Sequence, residues 1–225
     1  MTSSRQYRCV LFDLDGTLAD TAPDMVGALN AVRAQEDLAP LPVADLRDYV
    51  SHGSGYLVRM AFGVDQPESG YRRRLKAFLA HYREHLSDAT TLFPGMSALL
   101  DGIERAGCAW GVVTNKPAWL TDPLMAALAL DQRAHSIVSG DTTAERKPHP
   151  LPMLFAATQA RTAPSACLYV GDAERDIQAG AAAGMTTLIA GYGYIDAAQQ
   201  PERWGADGQI EHPAQVWPWL DQSQW

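Results

Sequence analysis

The feature that most constrains the fold is a change of hydrophobic period along the chain. From residue 109 onward, short apolar runs alternate with stretches of helical spacing. Residues 109–114, 136–139, 167–170 and 186–190 read as strands, and 123–130, 150–160 and 176–183 as helices. A strand that returns through a helix to a parallel neighbour does so with a right-handed crossover. The alternation therefore predicts a doubly wound, Rossmann-like parallel sheet of the α/β class. Another strand opens the chain at Arg8-Cys9-Val10-Leu11-Phe12, and a short last one is expected at Gln209-Ile210, before a helix from Pro213. The opening strand runs straight into Asp13-Leu14-Asp15-Gly16. Ligands of such sheets bind beyond the carboxyl ends of the strands, so Asp13 and Asp15 are expected at the functional edge.

Between the opening strand and the alternating region the period is helical. Thr21 and Pro23 start a helix along Met25, Val26, Leu29 and Val32, which Pro40 and Pro42 end. Leu46, Tyr49 and Val50 suggest a second helix, and Leu57, Met60 and Ala61 a third closed by Gly63. Leu75, Phe78, Leu79, Tyr82 and Leu86 give an amphipathic fourth. The expected organisation is an α/β core of residues 1–19 and 91–225 with an inserted small all-helical cap of residues 20–90. Within it, Ser51-His52-Gly53-Ser54-Gly55 reads as a turn between helices. The functional alternative is a loop that closes over a substrate, with His52 and Ser54 facing its leaving group.

At 225 residues and 47% hydrophobic content the chain can bury a full core, which argues against disorder. The net charge of -8 argues against a nucleic-acid partner, and the one basic cluster, Arg72-Arg73-Arg74, is expected to be a solvated helix face. No apolar stretch is long enough to span a bilayer and the first residues lack a signal core, so no membrane partner and a cytoplasmic location are expected. Cys9, Cys108 and Cys167 are odd in number and lack metal-ligand spacing, as expected of three buried, reduced thiols at strand entries. Trp204, Trp217, Trp219 and Trp225 are expected to pack the tail onto the core; Tyr192 and Tyr194 could line the same mouth as the 51–55 loop, but packing in the core or on the surface is the expectation. Either a monomer or a homodimer is compatible with these patterns.

Four groups of polar residues fall at or just past predicted strand ends: Asp13 with Asp15, Thr114 with Asn115, Lys147, and Asp172 with Asp176. Phosphoryl transfer calls for residues of these types. A carboxylate can attack phosphorus and divide one hard step into two. A second acid two residues on can protonate the leaving oxygen and then activate water. Bringing an anion to a phosphate dianion requires Mg²⁺ and a lysine to offset repulsion, and Thr and Asn beside a helix N-terminus can hold the phosphate oxygens. Taken singly, Asp-x-Asp-Gly is also a solvated turn, Thr114-Asn115 a helix cap, and Asp172 with Asp176 a pair favourable to a helix dipole.

In order, Asp13-Leu14-Asp15-Gly16-Thr17, Thr114-Asn115-Lys116, Lys147-Pro148 and Gly171-Asp172-x-x-x-Asp176 resemble the four motifs of the haloacid-dehalogenase-like phosphatases. The resemblance covers essentially the whole chain, since the helical block sits where that superfamily inserts its smaller cap. It implies that Asp13 is the nucleophile and a Mg²⁺ ligand, and that Asp15 is the general acid/base with its carbonyl on the metal. Thr114 and Asn115 would bind the phosphate, Lys147 would orient Asp13 and neutralise charge, Asp172 would bind Mg²⁺, and Asp176 would support it. One departure is Ala173, where relatives often carry a polar residue that orders the metal's outer shell; Glu174 is the candidate to replace it. Within the superfamily the resemblance narrows to phosphoglycolate phosphatases and to bacterial N-acetylmuramic acid 6-phosphate phosphatases of cell-wall recycling. Trp110-Gly111-Val112-Val113-Thr114-Asn115-Lys116-Pro117, Gly193-Tyr194-Ile195 and Pro201-x-x-Trp204-Gly205-Ala206-Asp207 carry it. The implied partner is a small phosphorylated metabolite. Two rival readings are a sugar phosphomutase, which also needs Asp13 and Asp15, and a phospho-accepting signalling module, which leaves the helical block unexplained.

Overall fold

Successive side chains of a strand point to opposite faces, and in the opening strand both sets are apolar. Val10 and Phe12 of β1 (Cys9–Phe12) join the larger hydrophobic cluster, while Cys9 and Leu11 join a second one. Strands buried on both faces belong to the middle of a parallel sheet covered by helices on each side. The computed structural model describes residues 7–63 and 68–220 and has this architecture. The strands are β1, β2 (Ala19–Asp20), β3 (Thr91–Leu92), β4 (Ala109–Val113), β5 (Ser136–Val138), β6 (Cys167–Gly171), β7 (Thr186–Ala190) and β8 (Gly208–Ile210). Six form one sheet in the order β5-β4-β1-β6-β7-β8, with every neighbouring pair parallel. The chain steps outward from β1 through β4 to β5, returns to the far side of β1 at β6, and continues to β7 and β8. That reversal creates the switch point beside β1 where ligands of such sheets bind.

The helices are α1 (Ala22–Ala34), α2 (Val43–Leu46), α3 (Ser54–Phe62), α4 (Glu68–Glu84), α5 (Met96–Arg105), α6 (Ala118–Ala127), α7 (Leu151–Gln159), α8 (Glu174–Ala182) and α9 (Trp217–Leu220). Helix α7 packs on β4 and β5, and α8 on β6 and β7. The run from α1 to α4 is entered through β2 and left through β3, which pair antiparallel as Ala19↔Leu92 and Asp20↔Thr91. Within this run α1 and α3 both pack against α4. Its apolar side chains, Met25, Leu29 and Phe78 among them, share one cluster with Val10 and Phe12 of the sheet. The carboxylate of Asp24 accepts the N–H groups of Ala89 and Thr90 at 2.9 and 2.7 Å, which fixes the exit segment onto α1.

Several local expectations need correction. The helix expected over 123–130 runs over Ala118–Ala127, with Pro123 inside it. Leu120, Leu124 and Met125 are buried at helical spacing, and burial of that face outweighs the cost of an interior proline. The arginine cluster is not simply a solvated face: Arg73 and Arg74 both bond Glu36, Arg74 as a fork at 3.0 and 2.6 Å, and Arg74 lies 4.7 Å over the Phe62 ring. Long guanidinium side chains can cover apolar surface while keeping an acid partner. Cys9 and Cys167 are buried free thiols, but Cys108, one residue before β4, is only half-buried. Trp217 and Trp219 pack against the main cluster, and Tyr194 is fully buried within it. Trp225 lies outside the described residues. Among the described residues, no helix is long and apolar enough to cross a membrane.

Candidate active site

Because β1, β4 and β6 are adjacent and parallel, their carboxyl ends deliver Asp13, Thr114 and Asp172 to one place. Lys147 reaches it from the loop after β5. Its Nζ lies 2.9 Å from Asp13 Oδ1 and 2.7 Å from Asp176 Oδ1, and donates to the Val113 carbonyl at 2.7 Å and Tyr169 Oη at 2.9 Å. Lys147, Asp13, Asp172 and Asp176 are all buried. Burying an ammonium needs partners of this kind, since an unpaired one would carry the full desolvation cost.

Three carboxylates around one lysine leave excess negative charge. Burial, and then the neighbouring Asp176, lifts Asp13 to about 6 against the pull of Lys147. Burial, followed by Asp13 and Asp176, lifts Asp172 to about 7. Among the described residues Asp172 makes no close ion pair, and the Arg175 guanidinium acts on it from a longer distance. Asp172 accepts hydrogen bonds from Thr17 Oγ1 at 3.1 Å, Ser51 Oγ at 2.7 Å and the Tyr194 N–H at 2.9 Å. One oxygen each from Asp13, Asp172 and Asp176 lie within 4.8 Å of one another. A buried, all-oxygen, anion-rich cluster is the donor set of a hard divalent cation, and these residues can hold one. Asp176 has less to offer it, because its Oδ1 takes Lys147 and its Oδ2 accepts the Ala173 N–H at 3.0 Å. Glu174 does not substitute for a polar residue at Ala173: it is exposed and accepts a hydrogen bond from Gln178 one turn on.

Backbone approach is as tight as side-chain approach. Gly16 has φ +84°, and a Cβ there would lie 2.1 Å from Asp172 Oδ2. The turn after β1 therefore closes onto the β6 acid only because it carries a glycine.

Asp15 sits at the open side of the same edge. Its Oδ1 accepts from Lys116 Nζ at 2.6 Å and Thr21 Oγ1 at 2.7 Å, and the residue lines the cavity. Burial works against the Lys116 charge, but Asp15 and Tyr82 reverse that and hold the ammonium above its ordinary pKa. Lys116 also lies 5.0 Å over the Tyr82 ring. Lys116 lies within the Thr114-Asn115-Lys116 motif but had no expected task; a lysine two residues past the predicted strand end was the available signal. Asn115 is placed differently from a free phosphate ligand. Its Nδ2 donates to the Lys147 carbonyl at 2.9 Å and its Oδ1 accepts the Lys147 N–H at 3.1 Å, so the side chain clamps the lysine loop.

These residues open onto a cavity of about 570 Å³. Asp13, Asp15, Thr114, Asn115 and Lys147 line its floor, and His52, just before α3, and Ser54, its first residue, line its roof. His52 Nε2 is 2.7 Å from Asp196 Oδ2, so the roof residue also ties the helical run to the loop after β7. Asp172 and Asp176 lie behind the floor rather than on the cavity wall. Ser51, which bonds Asp172 across from the helical run, carried no distinguishing signal in the sequence.

Comparison with known proteins follows the same lines. A phosphoglycolate phosphatase from Xanthomonas campestris pv. campestris is 44% identical over 211 residues, covering 93% of this chain and 95% of the relative. An N-acetylmuramic acid 6-phosphate phosphatase from Pseudomonas aeruginosa is 41% identical over 220 residues, covering 97% and 96%. Among solved structures, a Haemophilus somnus protein described as a predicted phosphoglycolate phosphatase superposes with a TM-score of 0.85 at 24% identity, covering 97% of this chain and all of that one. The family model for haloacid dehalogenase-like hydrolases matches residues 10–190, from the first strand through β7. The chain belongs to the haloacid dehalogenase-like hydrolase family.

Proposed function

We propose that this protein is a Mg²⁺-dependent phosphomonoester hydrolase that works through an aspartyl phosphate on a small acid-bearing sugar phosphate, with N-acetylmuramic acid 6-phosphate as substrate. The observation that carries the reaction type is the convergence of Asp13, Asp15, Thr114 and Lys147 on one cavity floor in front of a buried acid cluster. Asp13 Oδ1 is occupied by Lys147 and, at 2.8 Å, by the Leu14 N–H, so the carboxylate is held in one orientation. Asp13 attacks phosphorus; a bond to its oxygen forms as the ester bond breaks. The leaving oxygen takes a proton from the Asp15 carboxyl, whose Oδ1 is held by Lys116 and Thr21. Asp15 then accepts a proton from water as that water attacks the aspartyl phosphate, freeing Asp13 and inorganic phosphate. Thr114 binds the phosphate, and Asn115 acts by fixing Lys147. Asp13, the Asp15 carbonyl and Asp172 would hold Mg²⁺, with Asp176 in support. Bound there, the cation would neutralise the phosphate oxygens and the acids around them.

The helical run acts in this reading as a cap over residues 20–90, with His52 and Ser54 reaching the leaving group from above. A cavity of about 570 Å³ is in the range that holds sugar-sized ligands and is generous for a two-carbon acid, which favours the muramic ester. The second reading, 2-phosphoglycolate, is favoured by the name of the 44%-identical relative. The test is phosphate release from both esters with Mg²⁺, with Asp13→Asn as blank. A higher kcat/KM for the muramic ester supports the first reading and a higher one for phosphoglycolate replaces it. Rearranged sugar phosphate without free phosphate would mark a mutase.

A further inference from the structure

The charged groups around the cavity are almost all matched internally. Lys116 is matched by Asp15 at 2.6 Å, Lys147 by Asp13 and Asp176, and His52 by Asp196 at 2.7 Å. Two lining residues are not. Arg146 and Arg175 have no acid within ion-pair distance and no side-chain hydrogen bond among the described residues, and the Nε of Arg175 is buried without a partner. Arg146 is exposed at the rim beside Lys147; Arg175 is half-buried in the first turn of α8. A guanidinium on the cavity wall with no acceptor among the described residues can offer its N–H groups to a ligand that brings one. The phosphate has its own partner on the floor in Thr114, beside the internally matched Lys147. A planar fork is suited to a carboxylate, which it can grip with two parallel hydrogen bonds.

We propose that Arg175, assisted by Arg146 at the rim, binds a second acid group of the substrate and thereby selects phosphate esters that carry a carboxylate over neutral ones. This deepens the phosphatase reading and rests on it. It applies to either candidate ester, since both combine a phosphate with a carboxylate. A guanidinium stays charged at every pH at which a substrate carboxylate is ionised, so the fork is available throughout that range.

The test compares kcat/KM for N-acetylmuramic acid 6-phosphate with that for N-acetylglucosamine 6-phosphate, which has the same ring without the lactyl acid. The same comparison is made for 2-phosphoglycolate against a neutral alkyl phosphate. In the wild type the acid-bearing member of at least one pair is preferred. In Arg175→Gln that preference falls about 10- to 100-fold, mostly through KM, as loss of a charge-assisted bond requires. Arg146→Gln, a substitution at an exposed site that leaves folding intact, lowers it by a smaller factor in the same direction. A wild type with no preference, or an Arg175→Gln protein in which both members of each pair fall equally, overturns the assignment; the second outcome makes Arg175 a phosphate ligand. Absence of phosphate release from every ester overturns the phosphatase reading itself and this proposal with it.

Discussion

The floor and the roof of the cavity are built on different principles. On the floor, strand ends deliver side chains whose polar atoms are already spoken for: Lys147 has four partners, Asp15 two and Asn115 two. On the roof, the turn before α3 and its first residues offer His52, Ser54 and Tyr56 around a glycine, tied to the core by His52 to Asp196 and by Ser51 to Asp172. Pre-organised groups with fixed partners suit chemistry that must be the same for every substrate. A loosely matched wall suits discrimination, because its contacts are completed by the ligand. The contrast assigns reaction type to the sheet edge and selectivity to the helical run and the arginines beside it.

The largest effect tests the floor. Asp13→Asn should lower phosphate release by about 10⁴-fold or more while the circular dichroism spectrum is unchanged, as expected when a nucleophile is removed from an otherwise intact site. Asp15→Asn should cost about 10²- to 10⁴-fold, and the loss should shrink for esters with good leaving groups, which need no proton. Lys116→Met should fall between floor and roof in its consequences. It leaves Asp15 without its cation and should cost about 3 kcal/mol of unfolding free energy, measured by denaturant titration, since one partner of a largely buried pair is lost. His52→Ala should change kcat/KM by only about tenfold, and unequally among substrates; an equal loss for all would move His52 from the roof's task to the floor's.

The smallest effect lies away from the cavity. Glu36→Gln weakens the fork with Arg74 and should cost at most about 1 kcal/mol. Arg74 holds Glu36 below the ordinary glutamate range, so this contribution is present at neutral pH and is lost as pH falls through the lowered value. Wild type and variant should therefore converge in acid, measured by denaturation at several pH values.

The floor was legible in the sequence, and the roof only as one of two readings of residues 51–55, for a physical reason. Asp13, Thr114 and Asp172 each end an apolar strand, so period and polarity change together at the residue that matters. Parallel neighbours then place those ends side by side whatever the loops do. Ser51, His52 and Ser54 interrupt no such pattern, and their positions depend on how α1 to α4 pack, which is set by apolar contacts distant in sequence. Arg175 escaped for a related reason: one turn of helix past Asp172, it looked like any charged residue in a solvated first turn. Pro123 shows the opposite failure, a strong local signal overruled by burial of its neighbours.

Gly16 gives the molecule a further property, visible in how it tolerates change. The Asp172 carboxylate occupies the space where a Cβ on Gly16 would stand. In a library of all single substitutions, position 16 should be depleted as completely as position 13, although it contributes no functional group. Even alanine there would push an acid out of place from the opposite strand. Sequence drift in this chain is thus barred at a residue defined by what it lacks.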